Sequence, residues 1–248
     1  MIKTIIKWAA VFYAALVSVS ASANVTVMVN KQVFEFEQPV RLNAVLAPVA
    51  NSAQWYWPVS SVYNLNLTEA EREKESVLSE IRRLLGVYKN DNDMYHTLAS
   101  LYEQVALWTV ATRIPMSVSY NRARLFPQDN PQFKEGKYLI RISPRPDVIH
   151  VSGAVLKPGA YKHSGNTSIY TIANSVAVQE EADDSFVNII TPMGQVEKKG
   201  IAYWNVDFSQ IMPGSQIYVP ISPRYFDSAL EQLNDRIANL AVHRILPQ

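Results

Sequence analysis

The 248-residue sequence contains no cysteine. That excludes a disulfide framework, a thiol nucleophile and a lipidated anchor residue. Glycine is scarce, eight in all, and none falls into Gly-x-Ser-x-Gly or a phosphate-cradling loop, so no hydrolase elbow or nucleotide site is read. The four histidines, His96, His150, His163 and His243, include no i, i+4 pair, which leaves zinc without a signal. Neither charge is in excess: 23 Lys and Arg face 22 Asp and Glu. Nucleic acid needs a clustered basic face, so it is not expected as a partner. Beyond the N-terminus, no apolar run reaches the roughly 18 residues a membrane-spanning helix needs.

What is present begins with a leader. Lys3 and Lys7 precede an apolar run from Trp8 to Val19, and Ala21-Ser22-Ala23 supplies small residues for cleavage. Residues 1–23 are therefore expected to be a signal peptide, with Asn24 the first mature residue. Losing the two lysines turns a formal charge of +1 into −1. A leader on a cysteine-free chain points to a bacterial periplasm. With 48% hydrophobic residues, the remainder has enough apolar surface for one large or two small cores.

Val25–Val29 and Val33–Glu37 alternate around Asn30-Lys31-Gln32, the pattern of an antiparallel hairpin. Val40, Leu42, Val45 and Leu46 fit a short helix after Pro39. Thr68 with Glu71 three residues on is a capping-box signature. Val77, Ile81, Leu84 and Tyr88 follow at helical spacing. After the turn at Asn90–Asp93, so do Met94, Leu98, Leu101, Val105 and Trp108. These two stripes predict an αα-hairpin packed on itself or on a sheet. Ile114–Ser119 reads as a strand that Pro115 confines to an edge or a strand start. A polar loop is expected over residues 121–132, then a strand from Glu135 to Ile142 that weakly echoes Pro213–Val219.

The second half starts with Val148–Tyr161, where an alternating strand meets Gly153 and a Lys157-Pro158-Gly159 turn. A helix at Ser168–Val178, an acidic loop at Glu180–Asp184 and a hairpin around Thr191–Gly194 follow. Met212-Pro213-Gly214-Ser215-Gln216-Ile217-Tyr218-Val219-Pro220 is a second Pro-Gly turn feeding a strand. The last helix, opened by Ser222 and Pro223, carries Phe226, Leu230, Leu233, Ile237 and Leu240 on one stripe, with Asp227, Glu231, Asp235, Arg236 and Arg244 largely away from it. It lacks the lysines of a membrane-surface helix.

Strand, Gly-x-Val-x-x-Pro-Gly-x-Tyr, short helix and a closing Pro-Gly-x-x-Ile-Tyr-Val-Pro resemble the SLBB β-grasp domain of polysaccharide export proteins. With Trp55–Pro58, the helical hairpin and Thr112-Arg113-Ile114-Pro115, the whole chain resembles the GfcC/YjbG-like capsule (exopolysaccharide) biosynthesis family. The resemblance implies an α+β protein with a first β-grasp domain at 24–145, a helical insertion at about 68–111, an SLBB-like β-grasp domain at 146–221, and a C-terminal amphipathic helix at 222–248. It implies a periplasmic, non-catalytic accessory of capsule or exopolysaccharide assembly, without cofactor, whose partners are the polysaccharide or the outer-membrane export machinery. A monomer is expected. Ala177-Val178-Gln179-Glu180 stands where the family of SLBB domains has alanine-glycine-glycine. The missing cysteine and the charges on the last helix set the chain apart from the Wza-type channel itself.

The resemblance also places Arg113 in a pocket between the β-grasp domain and the helical insertion. A guanidinium there suits a carboxylate or phosphate, and the competing reading is a buried ion pair joining insertion to sheet. Trp55, Trp57 and Trp204 are the candidate sugar-stacking groups, with ordinary packing as the alternative. Two further functions stay open: a carbohydrate-binding protein holding nascent polymer, and a polysaccharide-modifying hydrolase using a carboxylate pair. The acidic loop lacks the spacing of a calcium site.

Overall fold

The computed structural model describes residues 24–163, 165, 167–223 and 228–247. The leader read at 1–23 lies outside the described residues, as do Phe226 and Asp227 of the last helix. The chain is α+β. Its first half runs β1 (Val25–Val29), β2 (Gln32–Phe36), β3 (Val40–Arg41), α1 (Leu42–Leu46), β4 (Ser61–Asn64), α2 (Glu69–Val87), α3 (Asn92–Ala106), β5 (Thr112–Ile114), α4 (Tyr120–Leu125), β6 (Gln132–Phe133) and β7 (Gly136–Arg141). The second half runs β8 (Val148–Gly153), β9 (Gly159–Lys162), α5 (Ile169–Ser175), β10 (Phe186–Ile190), β11 (Val196–Gly200), β12 (Gln216–Val219) and α6 (Ser228–Val242).

Two five-stranded mixed sheets have the same plan. The first is ordered β2-β1-β7-β4-β5 and the second β9-β8-β12-β10-β11. In each, the strand closing the half lies parallel to the strand opening it, β7 on β1 and β12 on β8, and the other pairs are antiparallel. The faint likeness of Glu135–Ile142 to Pro213–Val219 is thus an equivalence of position. The largest difference between the halves is in one connection. Residues 191–195 join β10 to β11 in a tight turn, whereas α2 and α3 lie between β4 and β5.

Several local expectations need correction. Thr68 does not form the capping box: its ψ of 12° is not extended, and its side chain accepts no capping bond. Thr112 of β5 is the hydroxyl within reach of the Ala70 N–H, at 3.5 Å. Val40 pairs with Phe133 as a strand rather than joining the helix. Residues 121–132 are not a plain loop, because Ser119 accepts from the Arg122 N–H and starts α4 there. The strand read at 114–119 stops at Ile114, since Pro115 has no N–H for a ladder. Finally, α6 ends at Val242, and residues 243–247 run on as a tail bridged through Arg244 to Val110.

The α2–α3 hairpin follows the first sheet's β4 in sequence, yet its apolar stripes belong to the second sheet's core. Val77, Ile81, Leu84, Met94, Leu98, Leu101 and Val105 share one buried cluster with Ile149, Val151, Ile189 and Ile217 and with Leu230, Leu233 and Ile237 of α6. Lys74 of α2 donates to the Ala106 and Trp108 carbonyls at 2.8 and 2.7 Å, satisfying the end of α3. The first sheet packs one face on α1 and α4. Part of its other face, at Tyr63 and Leu139, meets Ala111 and Ile245. Sequence threads the hairpin out of one half, and burial binds it to the other.

Candidate functional site

A cleft of about 400 Å³ opens where the two halves meet. Its first wall comes from β4, β5 and β7, its base from the linker at 142–147, and its second wall from β8 and the turns at 191–192 and 214–216. The tail supplies Arg244, Leu246 and Pro247. Strand register builds the first wall. Tyr63 is paired with Arg113 across β4–β5, and Ser61 with Arg141 across β4–β7, so period two sets all four on one face. In the second wall the parallel pairing of β8 and β12 sets His150 beside Gln216.

The cleft is cationic. Arg113, Arg141, Arg145 and Arg244 line it, and Asp147 is the one carboxylate-bearing residue among the described lining residues. The Arg113 guanidinium donates to the Pro192 carbonyl of the β10–β11 turn. That turn passes close because Gly194, at φ +85°, has no Cβ, which would sit 3.2 Å from Arg113 Nε. Arg141 Nη2 donates to the Leu246 carbonyl at 3.1 Å. Arg244 lies over the Trp108 ring, 4.8 Å from its centroid, with Nη1 3.5 Å from Gln216 Oε1. Gln216 is itself held by donating to the Ala241 carbonyl at 2.8 Å. Arg145 sits over Tyr56 at 5.4 Å.

Burial pushes Arg113 and Arg141 below their ordinary value and Arg244 down to about 10, and a guanidinium is a charged group at neutral pH. His150 is lowered by burial and then by Arg244, and His243 by burial and then by Arg113. His243 Nδ1 accepts the Arg113 backbone N–H at 3.0 Å, so its neutral form carries the proton on Nε2. At neutral pH the arginines therefore carry the positive charge of the cleft.

Residues 21–145 match the family described as capsule biosynthesis GfcC, N-terminal, and residues 158–246 that described as capsule biosynthesis GfcC C-terminal. This chain belongs to the GfcC capsule-biosynthesis family. An Escherichia coli (strain K12) relative, the uncharacterized protein YjbG, is 24% identical over 198 residues, covering 79% of this GfcC-family chain and 78% of the relative. Membership points to a role in capsule assembly. Among the described residues, no helix is long and apolar enough to cross a membrane.

The expected site residues part company. Arg113 and Trp55 line the cleft. Trp55 is also anchored, its Nε1 donating to the Val49 carbonyl at 2.8 Å. Both Trp55 and Trp57 pack against the first core, and Trp57 does not line the cleft. Trp204 is 62% exposed, edge-on to Tyr203 in the loop after β11, and does not line the cleft. The pocket expected between the first half and the hairpin is instead between the halves, because the hairpin is drawn into the second core. Arg113 has no carboxylate within 4.0 Å among the described residues, so the buried ion pair gives way to a carbonyl anchor.

Arg141 and Arg244 were the residues sequence reasoning missed. Arg141 had a signal: along β7, residues 137, 139 and 141 share a face opposite Tyr138 and Ile140. Arg244 had none. It reads as part of a polar helix face, but it lies past the helix end.

Proposed function

We propose that this protein is a periplasmic, non-catalytic accessory of capsule or exopolysaccharide assembly or export, acting by binding at the cleft between its halves. The observation that carries the reading is this cationic cleft in a chain of a capsule-biosynthesis family. The bound group is the polysaccharide itself or a segment of the export machinery. Trp55 on the wall favours the carbohydrate-holding version, since an indole face suits a sugar ring. Hydrolysis of the usual kind asks for two carboxyl groups flanking the bond, and Asp147 alone offers no such pair at the cleft.

In this reading each half is a β-grasp unit, the second of the SLBB kind, with α2 and α3 as an insertion in the first. The shared strand order and direction support it. Residues 1–23 act as the cleaved leader, supported by Lys3, Lys7 and Ala21-Ser22-Ala23. The protein works as a monomer, with no cofactor.

The test replaces Arg113 by lysine and by alanine in the producing cell, scoring surface polymer alongside the melting temperature of the purified variants. Lysine keeps the charge but loses the fork. The expected result is polymer loss in both, with the lysine variant melting close to wild type. Normal polymer in the alanine variant overturns the reading. Mass measurement of the exported protein, expected to begin at Asn24, checks the leader.

A further inference from the structure

We propose that the ligand of this cleft is an acidic sugar unit, its carboxylate or phosphate held jointly by Arg113, Arg141 and Arg244. The proposal rests on the binding function above and names the chemistry that the cleft selects. The first support is a contrast within the molecule. At the surface, Arg83, Arg122 and Arg236 each pair with a carboxylate, Glu80, Asp129 and Glu73, at 2.7–2.8 Å. The three cleft arginines, more deeply set, have no carboxylate within 4.0 Å among the described residues. Each is held by a neutral acceptor: the Pro192 carbonyl, the Leu246 carbonyl or the Gln216 amide oxygen.

A neutral anchor fixes a guanidinium without cancelling its charge. It engages only some of the five donors of the fork. Partly buried like charges with no carboxylate in contact are costly, and an entering anion relieves that cost. The geometry thus points to a ligand with a negative group. Its surroundings point to a sugar. The volume is that of a small-molecule site. Trp55 lines it with an indole, and Tyr63, Ser61 and Gln216 line it with hydroxyl and amide groups of the kind that pair with sugar hydroxyls.

The experiment titrates the purified full chain with glucuronic acid, glucose 6-phosphate, glucose and a short peptide ending in glutamates, following heat and melting temperature. Glucuronic acid or glucose 6-phosphate is expected to bind at least about tenfold more tightly than glucose, and the better of the two tells carboxylate from phosphate. Arg141→Gln and Arg244→Gln are each expected to weaken that binding about tenfold or more. Should either variant fold poorly, the wild-type titration repeated at rising salt must still weaken. Glucose binding as well as the acids overturns the proposal and leaves cleft binding standing. The peptide binding better than every sugar overturns it in favour of a protein partner. If no probe binds while Arg113→Ala still abolishes surface polymer, the acidic-sugar assignment falls and the functional reading survives. If polymer is also normal, both fall.

Discussion

Gln104 is the sharpest test of how the two halves are joined. It sits on the buried face of α3, and its amide closes a ring of two bonds with Gly153 at the end of β8. Nε2 donates to the Gly153 carbonyl at 2.9 Å, and Oε1 accepts the Gly153 N–H at 2.9 Å. Gln104→Leu keeps the bulk and the helix but strands the Gly153 N–H away from water, while the Gly153 carbonyl still accepts the Val155 N–H at 2.8 Å. A buried unpaired group costs about 1–3 kcal/mol, so the variant should lose about 2 kcal/mol. That is a large share of the roughly 5–15 kcal/mol by which a domain is stable. Urea unfolding followed by circular dichroism gives the difference. The reference is Arg236→Ala, which breaks a partly exposed pair with Glu73 between α6 and α2 and should cost under about 1 kcal/mol. In wild type, hydrogen exchange at the Gly153 amide should be as slow as in the second sheet. A Gln104→Leu cost below about 1 kcal/mol, or α3 exchanging independently of β8, would refute the shared core.

Gly153→Ala should prevent folding or cost well over about 3 kcal/mol in a denaturant melt, because φ is +102° and the new Cβ would meet the Val219 carbonyl oxygen at 2.1 Å. Asn234 accepts from the Tyr218 hydroxyl and the Ile221 N–H at 2.9 and 3.0 Å and donates to the Ile221 carbonyl at 2.7 Å. Asn234→Ala should therefore cost about 3 kcal/mol or more, and Tyr218→Phe only about 1. His243 and His150 are held below their ordinary 6.5, so the unfolded chain takes up protons first. Their stability contribution is complete above that value and declines as pH falls below it, and His243→Gln should flatten the melting curve measured from roughly pH 8 to pH 5.

Elements whose fate is decided locally could be read directly. The β1–β2 hairpin has its alternation and Asn30, which takes the left-handed φ of 54°. The stripes of α2, α3 and α6 have their spacing, and Ser168 caps α5 by accepting from the Thr171 N–H. What periodicity cannot say is which surface an apolar stripe will cover. The hairpin stripes fit either sheet equally well, and the decision depends on partners such as Ile149 and Leu233, some fifty to a hundred and fifty residues on. The cleft was partly legible for the same reason. Arg113 drew notice through a family likeness, whereas Arg141 and Arg244 become neighbours of it only once β7, β4 and the tail are in register.

The final residues carry much of this assembly. The stripe of α6 closes the second core, while the tail beyond it is fastened to the first sheet and its approach. Ala111 donates to the His243 carbonyl at 3.0 Å, Tyr63 to the Arg244 carbonyl at 2.9 Å, and Ile245 to the Thr109 carbonyl at 2.8 Å. The same five residues thus present Arg244 to the cleft, supply the carbonyl that holds Arg141, and place His243 behind Arg113. An amphipathic helix alone would need only its stripe. The tail adds to the geometry of the arginine cluster, because the Arg141 guanidinium and the Arg113 backbone N–H are held by bonds to the tail, and Arg244 is part of it. On the proposed reading, binding at the cleft should be coupled to docking of the C-terminal segment: an anion held by the three arginines would also tighten the contacts by which the tail joins the two halves.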